Sequence, residues 1–118
     1  MSKWLLEVLP ASGDIKIESQ AQDRFYNTDL DKQLKAKGIT TLILTGWKVS
    51  GSVTYTSVGA TLRGYTVVVP IDTSLDATDY KIAIGLYQIL NQHSSNATNE
   101  PLKDRATTLS RTDLIAFK

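Results

Sequence analysis

The spacing of apolar and polar positions changes several times along this chain, and each change marks an element. Residues 14–18, DIKIE, alternate with the period of two expected of a half-buried strand. Residues 28–37, TDLDKQLKAK, predict a helix: Thr28 or Asn27 can cap it, Asp29 and Asp31 lie in its first turn, and Gly38 stops it. Residues 40–45 form an unbroken apolar run, the pattern of a strand covered on both faces. Gly64 ends the following segment, and residues 65–70, YTVVVP, predict a second buried strand. Residues 76–92 predict a long helix with Ser74 or Asp76 as its cap. Its apolar residues run most of the way round, so a sheet on one side and a second subunit on the other are expected. The polar tract QHSSNATNEP, 92–101, predicts a loop, and residues 107–109 a last short strand before 112–117 close the chain.

One stretch is ambiguous. SVTYTSV, 52–58, alternates like a strand and is rich in β-branched residues, which lower helix propensity. Yet parallel strands at 40–45 and 65–70 need a crossover between them, usually a helix. We therefore expect a helix, with Val53, Ser57, Ala60 and Thr61 as its small, sheet-facing stripe. Strands alternating with helices predict a parallel α/β sheet with right-handed crossovers.

The chain has 118 residues, the size of one domain, and we expect residues 1–118 to form one. A net charge of +1, with thirteen scattered Lys and Arg, gives no reason to expect nucleic acid or an anionic membrane as partner. The absence of cysteine excludes disulfides, thiolate metal sites and cysteine nucleophiles. With a single histidine, His93, and no carboxylate–histidine pair at helical spacing, no metal and no cofactor are expected. His93 falls in or beside the 92–101 loop and reads as a surface residue. The apolar run before Pro10 is too short for a signal-peptide core or a membrane span, so a cytoplasmic location is expected. On that reading the sequon at Asn96 is a chance match.

Residues 24–74 carry a longer pattern. It comprises a Phe followed by a T-D-L helix, G-I before an apolar strand ending in T-G, the step Gly51-Ser52-Val53, then R-G-Y before V-V-V and an Asp. This series resembles the isochorismatase-like cysteine hydrolases, the group containing nicotinamidases, isochorismatases and N-carbamoylsarcosine amidases. The resemblance covers about residues 14–90. It implies an α/β fold: a Rossmann-like parallel sheet flanked by helices, here a short version of the family's three-layer fold.

The resemblance also implies a catalytic set of Asp, Lys and Cys. The Lys position, six residues before Phe25, is Ser19, and the Cys position is Ser52. The strand that carries the Asp is expected to lie N-terminal to the residues of this chain; Asp31-Lys32-Gln33 falls inside a predicted helix and is no substitute. A serine hydroxyl is a far poorer nucleophile than a thiolate unless a base takes its proton. Ser52 can instead be an N-cap, or a small replacement for a buried cysteine. By the same resemblance the backbone amides of Lys48 and Ser52 form an oxyanion site beside a cis Trp47–Lys48 peptide bond. Trp47, Ser19, Phe25 and Asp72 become pocket candidates. Asp72, beyond a strand carboxyl end, can equally cap the next turn.

Removing the first strand of such a sheet leaves a buried edge open, an invitation to pair with another chain. KWLLEVL, 3–9, can fill part of the gap; otherwise a homo-oligomer, most simply a dimer, is expected. The functional expectation is a catalytically inactive isochorismatase-like protein that binds a small molecule or serves in an oligomeric assembly. The alternatives are a hydrolase of amide-type C–N bonds using Ser52 with an unidentified base, and a purely structural interaction domain.

Overall fold

A computed structural model describes residues 9–91 and 107–117. The 92–101 tract, His93, the Asn96 sequon and residues 3–8 of the KWLLEVL segment lie outside them. The elements run α1 (Leu30–Ala36), β1 (Thr41–Ile43), β2 (Gly46–Trp47), α2 (Thr54–Leu62), β3 (Thr66–Pro70), β4 (Ser74–Leu75), α3 (Asp79–Leu90) and β5 (Thr107–Ser110). A single wide, π-type turn over Val49–Val53 leads into α2. Three-residue 3₁₀ turns follow β3 and β5.

Parallel pairing dominates. One sheet has the order β1-β3-β5, with Leu42 opposite Val67 and Val67 opposite Thr107. β2 and β4 form a second parallel pair, Gly46 opposite Ser74 and Trp47 opposite Leu75. The apolar run at 40–45 thus pairs with β3, and the second ladder begins only after it, at Gly46. Leu44 still donates to the Val68 carbonyl at 2.9 Å, and the chain then turns away at Gly46, whose φ of +118° a side chain would resist.

The stretch 52–58 is helical, as the crossover argument requires. Val53, Ser57 and Ala60 are buried against the sheet, while Thr61 is half-buried. The side chains of Val67, Val69, Val49, Ile89 and Phe25 close the core, and the Phe25 ring stacks on Tyr65 at 5.7 Å. Tyr65 also donates from its hydroxyl to Asp31 at 2.8 Å; burial, together with that bond, pushes its ionisation up to about 12.

Three expectations need correction. Residues 14–18 form no strand: Ile15 and Ile17 are half-buried and Lys16 and Glu18 exposed, so the alternation marks a face, but no ladder partner meets it among the described residues. The first helix begins at Leu30, whose amide donates to the Thr28 hydroxyl at 3.4 Å, so Thr28 caps from one residue outside the cap position and Asn27 does not cap. Asp29 occupies the cap position without a side-chain bond, and the Thr28 hydroxyl donates to the Arg24 carbonyl at 2.7 Å. The long helix begins at Asp79, capped by Thr78, whose hydroxyl accepts the Lys81 amide at 3.2 Å, so neither Ser74 nor Asp76 is its cap. Among the described residues α3 is covered on one side. Gly85 and Ile89 are buried, but Tyr80 and Tyr87 are 73% and 66% exposed on a stripe with Ala83.

β1 pairs only with β3 among the described residues, so its other edge is open there. No described helix is long and apolar enough to cross a membrane.

Candidate functional site

The site is assembled where the chain leaves β2, passes the Trp47–Lys48 peptide bond, which is cis, and makes the wide turn into α2. The turn is tied from inside: the amides of Gly51 and Val53 both donate to the Lys48 carbonyl at 3.1 Å, and the Thr54 hydroxyl donates to the Val49 carbonyl. It is also tied from outside. Asp76, in the loop after β4, accepts the Ser50 amide at 2.9 Å and the Ser50 hydroxyl on the same oxygen. The Ser50 hydroxyl, with the amides of Ser50 and Ala77, holds the Asp76 carboxyl below its usual range; nearby Lys48 adds to the effect. α3 presses on the same turn through Gly85. A Cβ there would lie 2.7–2.9 Å from backbone atoms of Val49 and Ser50, so only glycine allows this approach.

Beside the turn lies a pocket of about 200 Å³ lined by Arg24, Leu44, Thr45, Trp47, Ser52, Val53 and Thr56. Ser52 is half-buried and its hydroxyl has no hydrogen-bond partner among the described residues. It lies inside the wide turn rather than at a helix cap; Val53 precedes α2 and Lys48 precedes the turn, neither with a side-chain cap. The N-cap reading of Ser52 is therefore corrected. Carboxylate capping of this turn falls to Asp76, from a distant part of the chain, acting on Ser50.

Of the residues expected near the site, Trp47 and Ser52 share the pocket. Trp47 is 57% exposed and stands at its edge rather than filling it, with the Lys48 ammonium 6.0 Å from the centre of its ring. Phe25 is buried in the core, with the Arg63 guanidinium 5.0 Å from its ring centre. Ser19 faces a separate shallow hollow with Glu18, Gln20 and Tyr26, and its carbonyl accepts from Arg24 Nη1 at 2.7 Å. Asp72 is turned elsewhere: its carboxylate accepts the Thr112 amide at 3.0 Å and the Thr112 hydroxyl, which lowers its ionisation. Neither of its two readings holds: Asp72 does not line the pocket, and the turn it caps is not the next one but that at Thr112–Leu114, 40 residues further on.

Sequence reasoning missed Arg24. Its backbone amide donates to the Thr56 hydroxyl at 3.2 Å, anchoring the 19–26 segment to α2, and this makes Arg24 one of the residues that line the pocket. The position next to Phe25 was the only available signal. No group of three or more metal-binding side chains occurs among the described residues.

The fold agrees with what the chain is similar to. An N-carbamoylsarcosine amidase from an Arthrobacter species is 32% identical over 85 residues, 72% of this chain and 32% of that protein. The crystal structure of an N-carbamoylsarcosine amidase from Thermoplasma acidophilum superposes with a TM-score of 0.67 at 27% identity, over 90% of this chain and 53% of that one. An isochorismatase-like hydrolase from Alkaliphilus metalliredigens shares the fold with a TM-score of 0.77 at 24% identity, over 92% of this chain and 52% of that one. The chain thus spans about half the length of these solved structures and a third of the Arthrobacter protein. The isochorismatase domain profile matches residues 1–97, and with the parallel sheet and the turn into α2 this shows that the chain belongs to the isochorismatase domain family.

Proposed function

We propose that this chain is a non-hydrolytic isochorismatase-like protein that binds a small molecule in the pocket beside Ser52 and acts as a homodimer. The observation that carries the reading is the surroundings of the Ser52 hydroxyl: the pocket is open, but no His, Lys, Asp or Glu is among its described lining residues. A hydroxyl without a base within reach remains protonated and weakly nucleophilic at neutral pH. The nearest carboxylate tied to the turn, Asp76, is committed to Ser50. An open cavity with convergent polar groups favours a binding role over a purely structural one. The oxyanion role of the Lys48 and Ser52 amides belongs to this proposal, as the means by which a ligand oxygen is held.

The dimer rests on the open edge of β1 and on the exposed Tyr80–Ala83–Tyr87 stripe of α3. The deciding experiment is ammonia release from primary amides and N-carbamoyl compounds by the full chain and by Ser52→Ala. No release above buffer is expected from either. Release by the natural chain that Ser52→Ala abolishes would establish a serine amidohydrolase and overturn the reading.

A further inference from the structure

We infer that Arg24 makes the Ser52 pocket selective for a small carboxylate; this rests on the binding role proposed above and names its ligand class. Arg24 is the one charged residue among the described lining residues. Its Nη1 is used, donating to the Ser19 carbonyl at 2.7 Å and to the Ala21 carbonyl at 3.2 Å, which fixes the guanidinium plane. Nε and Nη2 have no bond, and no carboxylate pairs with this arginine, among the described residues.

Arg24 is half-buried; a guanidinium held by two carbonyls, with its other donors unused among the described residues and Leu44 and Val53 as apolar neighbours in the lining, is a poorly compensated cation. The planar fork of donors matches the two oxygens of a carboxylate. The neighbouring walls lower the local dielectric and strengthen that pairing relative to open water. An amide of the same shape offers one oxygen and turns its N–H groups toward the cation.

The other lining groups set the rest of the ligand. Thr56 is occupied, accepting the Arg24 amide and donating to the Gln22 carbonyl at 3.1 Å, so Ser52 and Thr45 carry the unused hydroxyls among the described lining residues. The volume of about 200 Å³ is below the roughly 300 Å³ of typical ligand pockets, which limits the body to about one ring or a short chain. Trp47 at the edge offers it a flat apolar wall.

The test uses a matched pair, benzoate and benzamide, titrated into the full chain by NMR with the Trp47 indole and Ser52 amide signals as reporters. Benzoate is expected to bind at least ~10-fold more tightly than benzamide, a difference of about 1.4 kcal/mol. Arg24→Gln should bring benzoate down to the benzamide level and leave benzamide unchanged, and Arg24→Lys should keep part of the preference. Arg24 also braces the 19–21 segment, so unaltered protein supplies a second measurement: benzoate affinity should fall as salt rises and benzamide affinity should not. Equal binding of the two probes, or a preference that ignores both salt and Arg24→Gln, would overturn the carboxylate assignment while leaving the pocket a binding site. Failure of both probes to move either reporter up to their solubility limits would overturn the binding role and the assignment together.

Discussion

One oxygen of the Asp76 carboxylate receives both the amide and the hydroxyl of Ser50, across 26 residues of chain. This bond pair joins the loop after β4 to the turn that carries Ser52, so the shape of the pocket depends on an ionised Asp76. Its carboxyl is held below the ordinary value of 3.8, first by the Ser50 hydroxyl. A carboxyl depressed in the folded state contributes stability above its unfolded value and loses it as pH falls through the folded one. Stability should therefore decline below about pH 4. Asp76→Asn should lower stability at neutral pH and make the acid decline shallower, while Asp31 and Asp72, lowered in the same direction, keep part of it. Urea midpoints measured from pH 7 to pH 3 check this; parallel profiles for the two proteins would contradict it.

Ser50 and Ser52 should differ in a way that only the folded geometry explains. Ser52→Ala removes a hydroxyl that caps nothing, and its stability change should stay within about 0.5 kcal/mol. An N-cap would instead lose about 1 kcal/mol. Ser50→Ala deprives Asp76 of its hydroxyl donor and should lower the urea midpoint more than Ser52→Ala. The two variants measured side by side decide which serine holds the turn.

Gly85→Ala tests the packing of α3 on that turn. Alanine is the better helix former by about 1 kcal/mol, so in an open helix the change would stabilise. Here the new methyl group meets the Ser50 amide nitrogen at 2.7 Å and the Val49 carbonyl carbon at 2.8 Å, both backbone atoms that cannot swing away. Net destabilisation of about 1–3 kcal/mol is expected. Gly51→Ala is the comparison, since its close neighbour is the flexible end of Gln22, and it should cost less. Thermal melts of the two variants rank them.

The dimer is tested through α3. Tyr80→Glu with Tyr87→Glu places two charges on the exposed stripe and should shift the full chain from dimer to monomer in light scattering at micromolar concentration. Both side chains are about two-thirds exposed or more, so the fold itself should be retained, with unchanged far-UV circular dichroism. A natural chain already monomeric at that concentration would contradict the assembly.

The sequence by itself determined the class of fold and the order of its elements. The apolar runs at 40–45 and 65–70 demanded parallel strands, and the crossover between them made 52–58 helical against its own β-branched alternation, because a chain of this length can return in parallel only through such a connection. The motif series around Gly51-Ser52-Val53 located the turn that builds the pocket. Tertiary structure decided what local pattern does not encode: which partner each polar group finds. The alternation at 14–18 defines a face but not a ladder; Asp76 was legible as a helix cap and instead holds Ser50, while Thr78 caps α3. Asp72 meets Thr112, from a turn 40 residues further on. Arg24 carried no signal of its own, since its place in the pocket depends on the Thr56 hydroxyl 32 residues away and on two carbonyls that fix its plane. Hydrophobic period follows from the residues in one element, whereas hydrogen-bond partners and unused donors exist only once distant elements have packed.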